Sequence, residues 1–445
     1  MTSSDAARSI PAKPHILDLF AGPGGLDVAA KMLGVESLGI EWDKDACDTR
    51  YAAGLRTWHA DVSTVRRKRF EELDADLNVL AGGPPCQTYS VAGNGAGRKA
   101  LEKVEKLIHQ LVDGAGEDEI DEQLERMGGD PRTALVLEPL RYAIKALDSE
   151  KRDRRPFDVI VLEQVPAVKA LWEVYKVALD KGLPRENGTR VRYNVAEVKT
   201  LHTEAYGVPQ TRRRTILIAR LAEYDAPRLP APTHHIFNLR KPEQGSPQDI
   251  RTALPVDGVA APLLPWVPME DVLTDRQPPF EIVSNYGSGG DPKKRGIRTY
   301  RQPSFTVTGK VSRNAVRRHP NGEPLTPDRL TIDEAGVLQS FPPNYPWDGG
   351  DRSQQVGNAV PPLFGMHVLA AALNIPLPSE KVLRKRWARL DTESPKYKKL
   401  RLEGCDTEKG CGTNCPRPED QASASTSAAA TSRPRTGASA KRSAK

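Results

Sequence analysis

Long apolar runs are missing from this 445-residue chain, and cysteine is scarce. No run approaches the roughly 20 residues that a membrane-spanning helix needs, so no membrane association is expected. The opening segment, MTSSDAARSIPAKPH, has no apolar centre of the kind a secretory leader carries, and the chain reads as soluble and cytoplasmic. The five cysteines, Cys47, Cys86, Cys405, Cys411 and Cys415, suggest no disulfide framework, which fits a reducing compartment. Cys405, Cys411 and Cys415 form C-x5-C-x3-C, but three ligands at an unusual spacing with no nearby histidine argue against zinc. No metal is expected, and no internal repeat is visible. A charge excess is also missing from most of the chain. The formal net charge is +7, yet residues 379–445 hold 16 Lys+Arg against 8 Asp+Glu; taking that +8 from +7 leaves −1 for the body. If the body binds a polyanion, local clusters must do it.

What is present is a series of short apolar runs that stop at glycines or charges. HILDLF (15–20) runs into Gly22-Pro23-Gly24-Gly25, and a helical pattern follows through Leu33. Ser37–Glu41 ends at a charge, Leu77–Ala81 at Gly82-Gly83, and Val159–Glu163 at another acid. Tyr193–Val198 and Thr215–Ala219 are further strands, with amphipathic stretches near 132–147 and 168–181. This alternation predicts an α/β domain with a mainly parallel sheet. In such sheets ligands collect at the carboxyl ends of the strands, where the glycines, the acids and Cys86 fall. The charged segment 98–127 predicts an inserted surface helix pair. Residues 225–300, rich in proline and turns, predict a small separate domain or elaborated loops. A basic stretch with helical character follows at 380–402, and from Pro416 the Ser/Ala/Thr/Arg/Lys composition predicts disorder.

DLFAGPGGLD (18–27) sets a glycine turn between a strand and a helix, where a ligand can approach the backbone. The spacing is not G-x-G-x-x-G, which disfavours a dinucleotide. Glu41 ends the second strand about 20 residues on, where an acid can accept ribose hydroxyls. Trp42 can stack on a purine, and Asp61 sits where a third strand should end. Singly each acid reads as a solvated or capping residue; together they favour a nucleoside. LAGGPPCQTYS (80–90) mounts Cys86 behind Pro84 and Pro85, which fix φ and remove two backbone donors. A packing cysteine belongs inside an apolar run, whereas a nucleophile needs its attack geometry held. Glu163 alone is a generic acid. Arg212 and Arg214, in QTRRRTILIA, are by themselves surface residues beside a strand.

Taken together, six segments in this order resemble the DNA cytosine-5 methyltransferase family over roughly residues 14–375. DLFAGPGGLD is similar to its S-adenosylmethionine turn and GGPPCQTYS to its catalytic Pro-Cys loop. EQV (163–165) stands where the family has Glu-Asn-Val, and QTRRR (210–214) fits Gln-x-Arg-x-Arg. RLTIDEAGVLQSFP (329–342) and QVGNAVPP (355–362) match two late motifs. The resemblance implies an S-adenosylmethionine-dependent, Rossmann-like mixed α/β sheet with a smaller target-recognition domain. Its divisions are a catalytic domain at 14–224 with the insertion 98–127, target recognition at 225–327, a return to the catalytic domain at 328–375, and a basic, largely disordered tail at 376–445.

The same resemblance implies roles. Phe20, Gly22, Gly24, Glu41, Trp42, Asp61 and Pro85 would line the S-adenosylmethionine pocket, closed by Asn358 and Val360. Cys86 would add to carbon 6 of cytosine so that carbon 5 can take a methyl group. A protonated Glu163 would bond ring N3 and the exocyclic amine. Arg212 would hold the cytosine O2, with Arg214 completing the catalytic set. The base must leave the duplex to react, and Gln87–Gly97, including Gln87 and Ser90, would be the loop that closes over it. The expected partner is double-stranded DNA, read by a monomer, with a restriction endonuclease as a separately acting companion. Candidate base readers are Arg251, Asn285, Lys293, Lys294, Arg295 and Arg298. Gln164 in place of Asn and the insertion after the loop depart from the family pattern. Two rivals stand beside this reading: an RNA (tRNA) cytosine-5 methyltransferase on the same scaffold, and a catalytically silent nucleic-acid-binding relative.

Overall fold

The computed structural model describes residues 13–85, 95–127, 131–249, 262–287 and 295–387. Cys86, Gln87, Ser90, Arg251, Lys293, Lys294 and the tail from residue 388 lie outside them, as do the side chains of Asn285 and Arg295.

Strands β1 (His15–Leu19), β2 (Glu36–Glu41), β3 (Thr57–His59), β4 (Val79–Gly82) and β5 (Val159–Gln164) pair in parallel in the order 3-2-1-4-5. Beyond β5 the sheet turns antiparallel. There β8 (Arg213–Leu221) pairs with β5, and β6 (Tyr193–Val195) and β7 (Lys199–His202) pair with the two halves of β8. The sheet is therefore mixed. Side chains alternate across it as a period of two requires. Ile16, Val79, Ala81 and Val161 join one core cluster; Leu17, Leu80, Ile160 and Leu162 join the other. On the first face, helices α1 (Gly25–Leu33) and α9 (Pro362–Leu373) pack together, so the late part of the chain returns to the first helix. The strand order reverses between β1 and β4, with β2 on one side and β5 on the other. That switch point is where α/β sheets open a crevice at their carboxyl ends.

The other face corrects the expectation for the insertion. Helices α3 (Gly95–Asp113) and α4 (Glu117–Met127) occupy the segment, but they are not a merely surface pair. Val104, Leu107, Ile108 and Leu111 recur at helical spacing and are buried in the cluster that holds Trp172 and Tyr175. Both aromatic residues sit on α6 (Lys169–Lys181), which touches α3 as well as β6 and β8, while α5 (Glu138–Asp148) covers β4. The acids of α4 also pair inward. Fully buried Arg66 binds Glu117 and Glu138, and Arg141 reaches Asp121 at 2.7 Å. Charge density in the sequence masked this, because Glu117 and Asp121 face buried arginines.

A second, four-stranded antiparallel sheet contains β9 (Phe280–Gly287), β10 (Arg295–Thr299), β11 (Ala315–Arg318) and β12 (Pro324–Arg329) in the order 10-9-11-12. The chain then passes through α7 (Ile332–Leu338), capped by a reciprocal Thr331–Glu334 box, and α8 (Arg352–Asn358) into α9. The stretch Arg352–Leu373 is long and apolar enough to cross a membrane, but most of it is buried and it breaks at Ala359–Pro361. The tail begins with an ordered helix, α10 (Glu380–Trp387), whose Arg386 donates to the Met32 carbonyl at 2.6 Å. A cation at the carboxyl end of α1 suits its dipole.

His367 of α9 is buried against Tyr206, with ring centroids 5.2 Å apart. Burial first, and the nearby His234 second, push its pKa down to about 4. The neutral ring is thus favoured in the fold, while the unfolded chain takes a proton below pH ~6.5. Stability contributed here is present above pH ~6.5 and is lost as the pH falls towards 4, by at most about 3 kcal/mol. Urea unfolding between pH 7.5 and 4.5 should show that loss, and His367→Gln should flatten it.

Candidate active site

At the switch point the chain leaves β1 through a turn of alternating backbone hand: Phe20 at φ 58°, Gly22 at 52° and Gly24 at 103°. The turn is held from both sides. Glu41, at the end of β2, accepts from the Gly22 amide at 2.7 Å and from the Asp43 amide at 2.7 Å. Burial raises the Glu41 pKa above its ordinary value, and those two amides oppose the shift. Beneath the turn Arg50, fully buried, meets Asp27 of α1 at 2.6 Å and also donates to the carbonyls of Ala21 and Arg56. Asp18, with one buried oxygen unbonded, has its pKa raised well above the ordinary value, by burial first and by Asp27 next.

The space around the turn is asymmetric. A side chain at Gly25 would run into the Val360 carbonyl at 2.1 Å, and one at Gly24 into Leu55 at 2.2 Å. At Gly22 it would meet nothing within 4 Å. Open room therefore lies beside Gly22 and Glu41. Trp42, next along, is 66% exposed. Asp61 caps the helical turn that follows β3, with both bonds, from Ser63 and Thr64, falling on one oxygen. Val360 meets the turn through its backbone, whereas Asn358 is exposed and bonded to Gln354 of its own helix. An acid at two successive strand ends, an exposed indole and an open glycine turn form a donor set suited to a nucleoside.

One strand beyond the turn, β4 ends at Gly82-Gly83-Pro84-Pro85. Neither proline has an N–H, so the β4–β5 ladder cannot continue. Across that break the Gln164 side-chain amide donates to the Pro84 carbonyl. Its own oxygen accepts from Val165 at 2.5 Å, which fixes which way the amide points. The longer residue in the family's Asn position thus spans to the proline turn. Glu163, 7% exposed, lies across from Gly83; a side chain there would sit 3.4 Å from its Oε2.

The arginines are corrected by the structure. Arg214, not Arg212, meets Glu163, with its Nε 2.6 Å from Oε1. Arg212 is 2% exposed and committed to backbone carbonyls: Val307 at 2.8 Å, Gly357 at 2.9 Å and Ala359 at 3.3 Å. Burial first, then the charge of Arg214, push its pKa well below the ordinary value, with Glu163 opposing. A guanidinium so occupied is not free to hold a base. Two buried glutamines that were not singled out as site residues complete the junction. Gln210 donates to the Leu338 carbonyl and Gln339 side chain, and Gln339 donates to Val356 at 2.6 Å. Their one readable signal was position: an amide inside a motif whose neighbours are apolar or paired.

The fold and this site define an α/β group-transfer enzyme with its chemistry at the carboxyl edge of the sheet. The C-5 cytosine-specific DNA methylase family model matches residues 15–113 and 185–373, and the chain belongs to that family: it methylates carbon 5 of cytosine in DNA. The match passes over residues 114–184, so Glu163 is placed by its position at the end of β5. Similar relatives include Type II methyltransferase M.Eco47II of Escherichia coli, 25% identical over 78% of this chain and 75% of its own length. Type II methyltransferase M1.HphI of Haemophilus parahaemolyticus is 26% identical over 81% and 86%, respectively. Among solved structures, S. pombe Dnmt2 methyltransferase aligns at 15% identity and TM-score 0.47, covering 81% of this chain and 99% of that one.

Replacing Gln164 by Leu keeps the volume but leaves the Pro84 carbonyl without its donor, at a cost of about 1–3 kcal/mol. Urea denaturation should register that loss, and methyl transfer should fall with it. Unchanged stability would mean that the bond to Pro84 is not made.

Proposed function

We propose that Cys86 attacks carbon 6 of a flipped-out cytosine in a specific duplex sequence, with S-adenosylmethionine as methyl donor. The observation that carries this reading is the Glu163–Arg214 pair set one strand from the Pro84-Pro85 mount of the thiol. S-adenosylmethionine, when bound, supplies an electrophilic sulfonium methyl. Phe20, Gly22, Gly24, Glu41, Trp42, Asp61 and Pro85 would hold it, with Val360 and Asn358 at the rim. The open room at Gly22 and the acids at the strand ends fit its ribose and base.

Carbon 5 of cytosine is a weak nucleophile. Addition of the Cys86 thiolate to carbon 6 turns the ring into an enamine. Negative charge that develops on the ring is met at N3 by the proton of Glu163. Glu163 rests against Arg214, so the pair must open for both groups to face the base. Arg214 then bonds the cytosine O2, the role that Arg212 cannot fill. Once carbon 5 carries the methyl group, its proton is lost to solvent, the C–H electron pair re-forms the 5,6 double bond, and the Cys86–carbon 6 bond breaks to return the thiolate. Gln87 and Ser90 contact the DNA beside the extruded base, and residues 225–327 read the sequence. Extrusion costs about a few kcal/mol, offset by these contacts. The Type II names of the relatives support a companion endonuclease of the same specificity, acting separately, in the cytoplasm where the DNA lies.

Duplex carrying 5-fluorocytosine should trap a covalent adduct with the wild-type protein and none with Cys86→Ala, read on a denaturing gel. Absence of the wild-type adduct under conditions of active methylation would sink the covalent step. Labelled methyl should enter duplex DNA and not tRNA; the reverse would favour the RNA-modifying rival. Arg214→Ala should lower kcat about 100-fold or more, as loss of one charge-stabilising donor does. Bisulfite sequencing of host DNA gives the methylated site.

A further inference from the structure

We infer that Arg212 is a positioning residue for the methyl-donor site, acting through the late turn Val356–Val360 and not through the base. This rests on the reading of the Gly22–Glu41 turn as that site. One end of the guanidinium donates to Val307, and the other to Gly357 and Ala359. The fork therefore sets the spacing between two backbones that are 50 residues apart in sequence at their closest, residues 307 and 357. These backbones touch: a side chain at Gly357 would collide with the Gly309 amide nitrogen at 2.1 Å. On its far side the late turn presses the Val360 carbonyl onto Gly25, the first residue of α1, with equally little room. Gln339 holds the same turn from below, through Val356 and Ala359.

The late turn is thus clamped between the irregular segment around Val307–Gly309 and the helix that follows the glycine turn. Arg212 lies inside the clamp, and among the described residues no carboxylate bonds to it. Glu163 acts on it only through space and is itself taken by Arg214. Lysine keeps the charge but presents one point of attachment in place of a planar fork. It cannot span Val307 and the late turn together. The late turn then shifts from Gly25, and the donor pocket loses its rim while the base-side groups stay in place.

The test is a separation of KM from kcat. Arg212→Lys should weaken S-adenosylhomocysteine binding, by calorimetry, and raise KM for S-adenosylmethionine, each by ~10-fold or more. Its kcat at saturating donor and its trapping by 5-fluorocytosine duplex should stay within about threefold of wild type. Gly25→Ala pushes on the same contact from the other side. The two changes should therefore be non-additive, with the double variant close to the worse single one. If Arg212→Lys does not fold, Gln339→Met, which removes the other side chain bonded to Ala359, is read in the same way. A large fall in kcat with unchanged KM, or strictly multiplicative effects, would overturn the inference and return Arg212 to the base. Failure of the wild-type protein to bind S-adenosylhomocysteine would instead overturn the reading of the donor site.

Discussion

At several joints between segments of this chain a backbone carbonyl has no ladder partner, and a buried carbonyl cannot stay unbonded. Arginine answers this repeatedly. Arg50 takes Ala21 and Arg56 below the glycine turn, and Arg212 takes Val307, Gly357 and Ala359 at the late turn. Arg220 closes the carboxyl end of α9 through Ala371 and Ala372, and Arg276 takes Pro327 and Arg329 in the small sheet. The Arg50 and Arg212 forks satisfy acceptors that belong to different segments, which a single backbone N–H cannot do. Desolvating the cation is the cost, and it shows in the downward pressure on Arg212 and Arg220. In exchange the joints have one geometry, set by a planar group.

That rigidity matters because the chemistry is divided among distant parts of the chain. In the proposed mechanism the donor turn comes from residues near 20, the thiol mount from residues near 84, the acid from β5 and its arginine from the start of β8. The reversal of strand direction after β5 makes the last of these possible. Ile216 pairs with Glu163, so the beginning of an antiparallel strand lies beside the end of a parallel one. A parallel β8 would have presented its far end there, and Arg214 would lie on the opposite edge of the sheet.

Much of this was legible in the sequence. The apolar runs and their stops marked β1, β2, β4, β5 and β8 because buried parallel strands read as short continuous apolar stretches. Glu41, Asp61 and Glu163 were visible as charges at the ends of such runs. The division of labour between Arg212 and Arg214 was not. They are two residues apart, hence of the same parity, and a period of two cannot separate them; only the bonds to residues 307, 357 and 359 do. The burial of the 98–127 helices was hidden for a related reason. Charge density suggested solvent, while the partners Arg66 and Arg141 lie elsewhere in the sequence. The departure at Gln164 has a use only in three dimensions: its extra length lets the side-chain amide reach the Pro84 carbonyl.

The packing of α9 and α10 on α1 has a topological consequence. Met32 lies at the end of α1 away from the catalytic edge, where β1 begins, and Arg386 is bonded to it. The described chain therefore closes nearly into a ring, with residue 13 and residue 387 on the same edge of the sheet. A ring can be opened elsewhere. Joining the two ends by a short linker and starting the polypeptide at an exposed turn, such as the one between β11 and β12, would preserve the strand order of the main sheet, the clamp around the late turn and both arginine forks. The linear order of the motifs is then a property of the gene, and the enzyme needs only their arrangement in space.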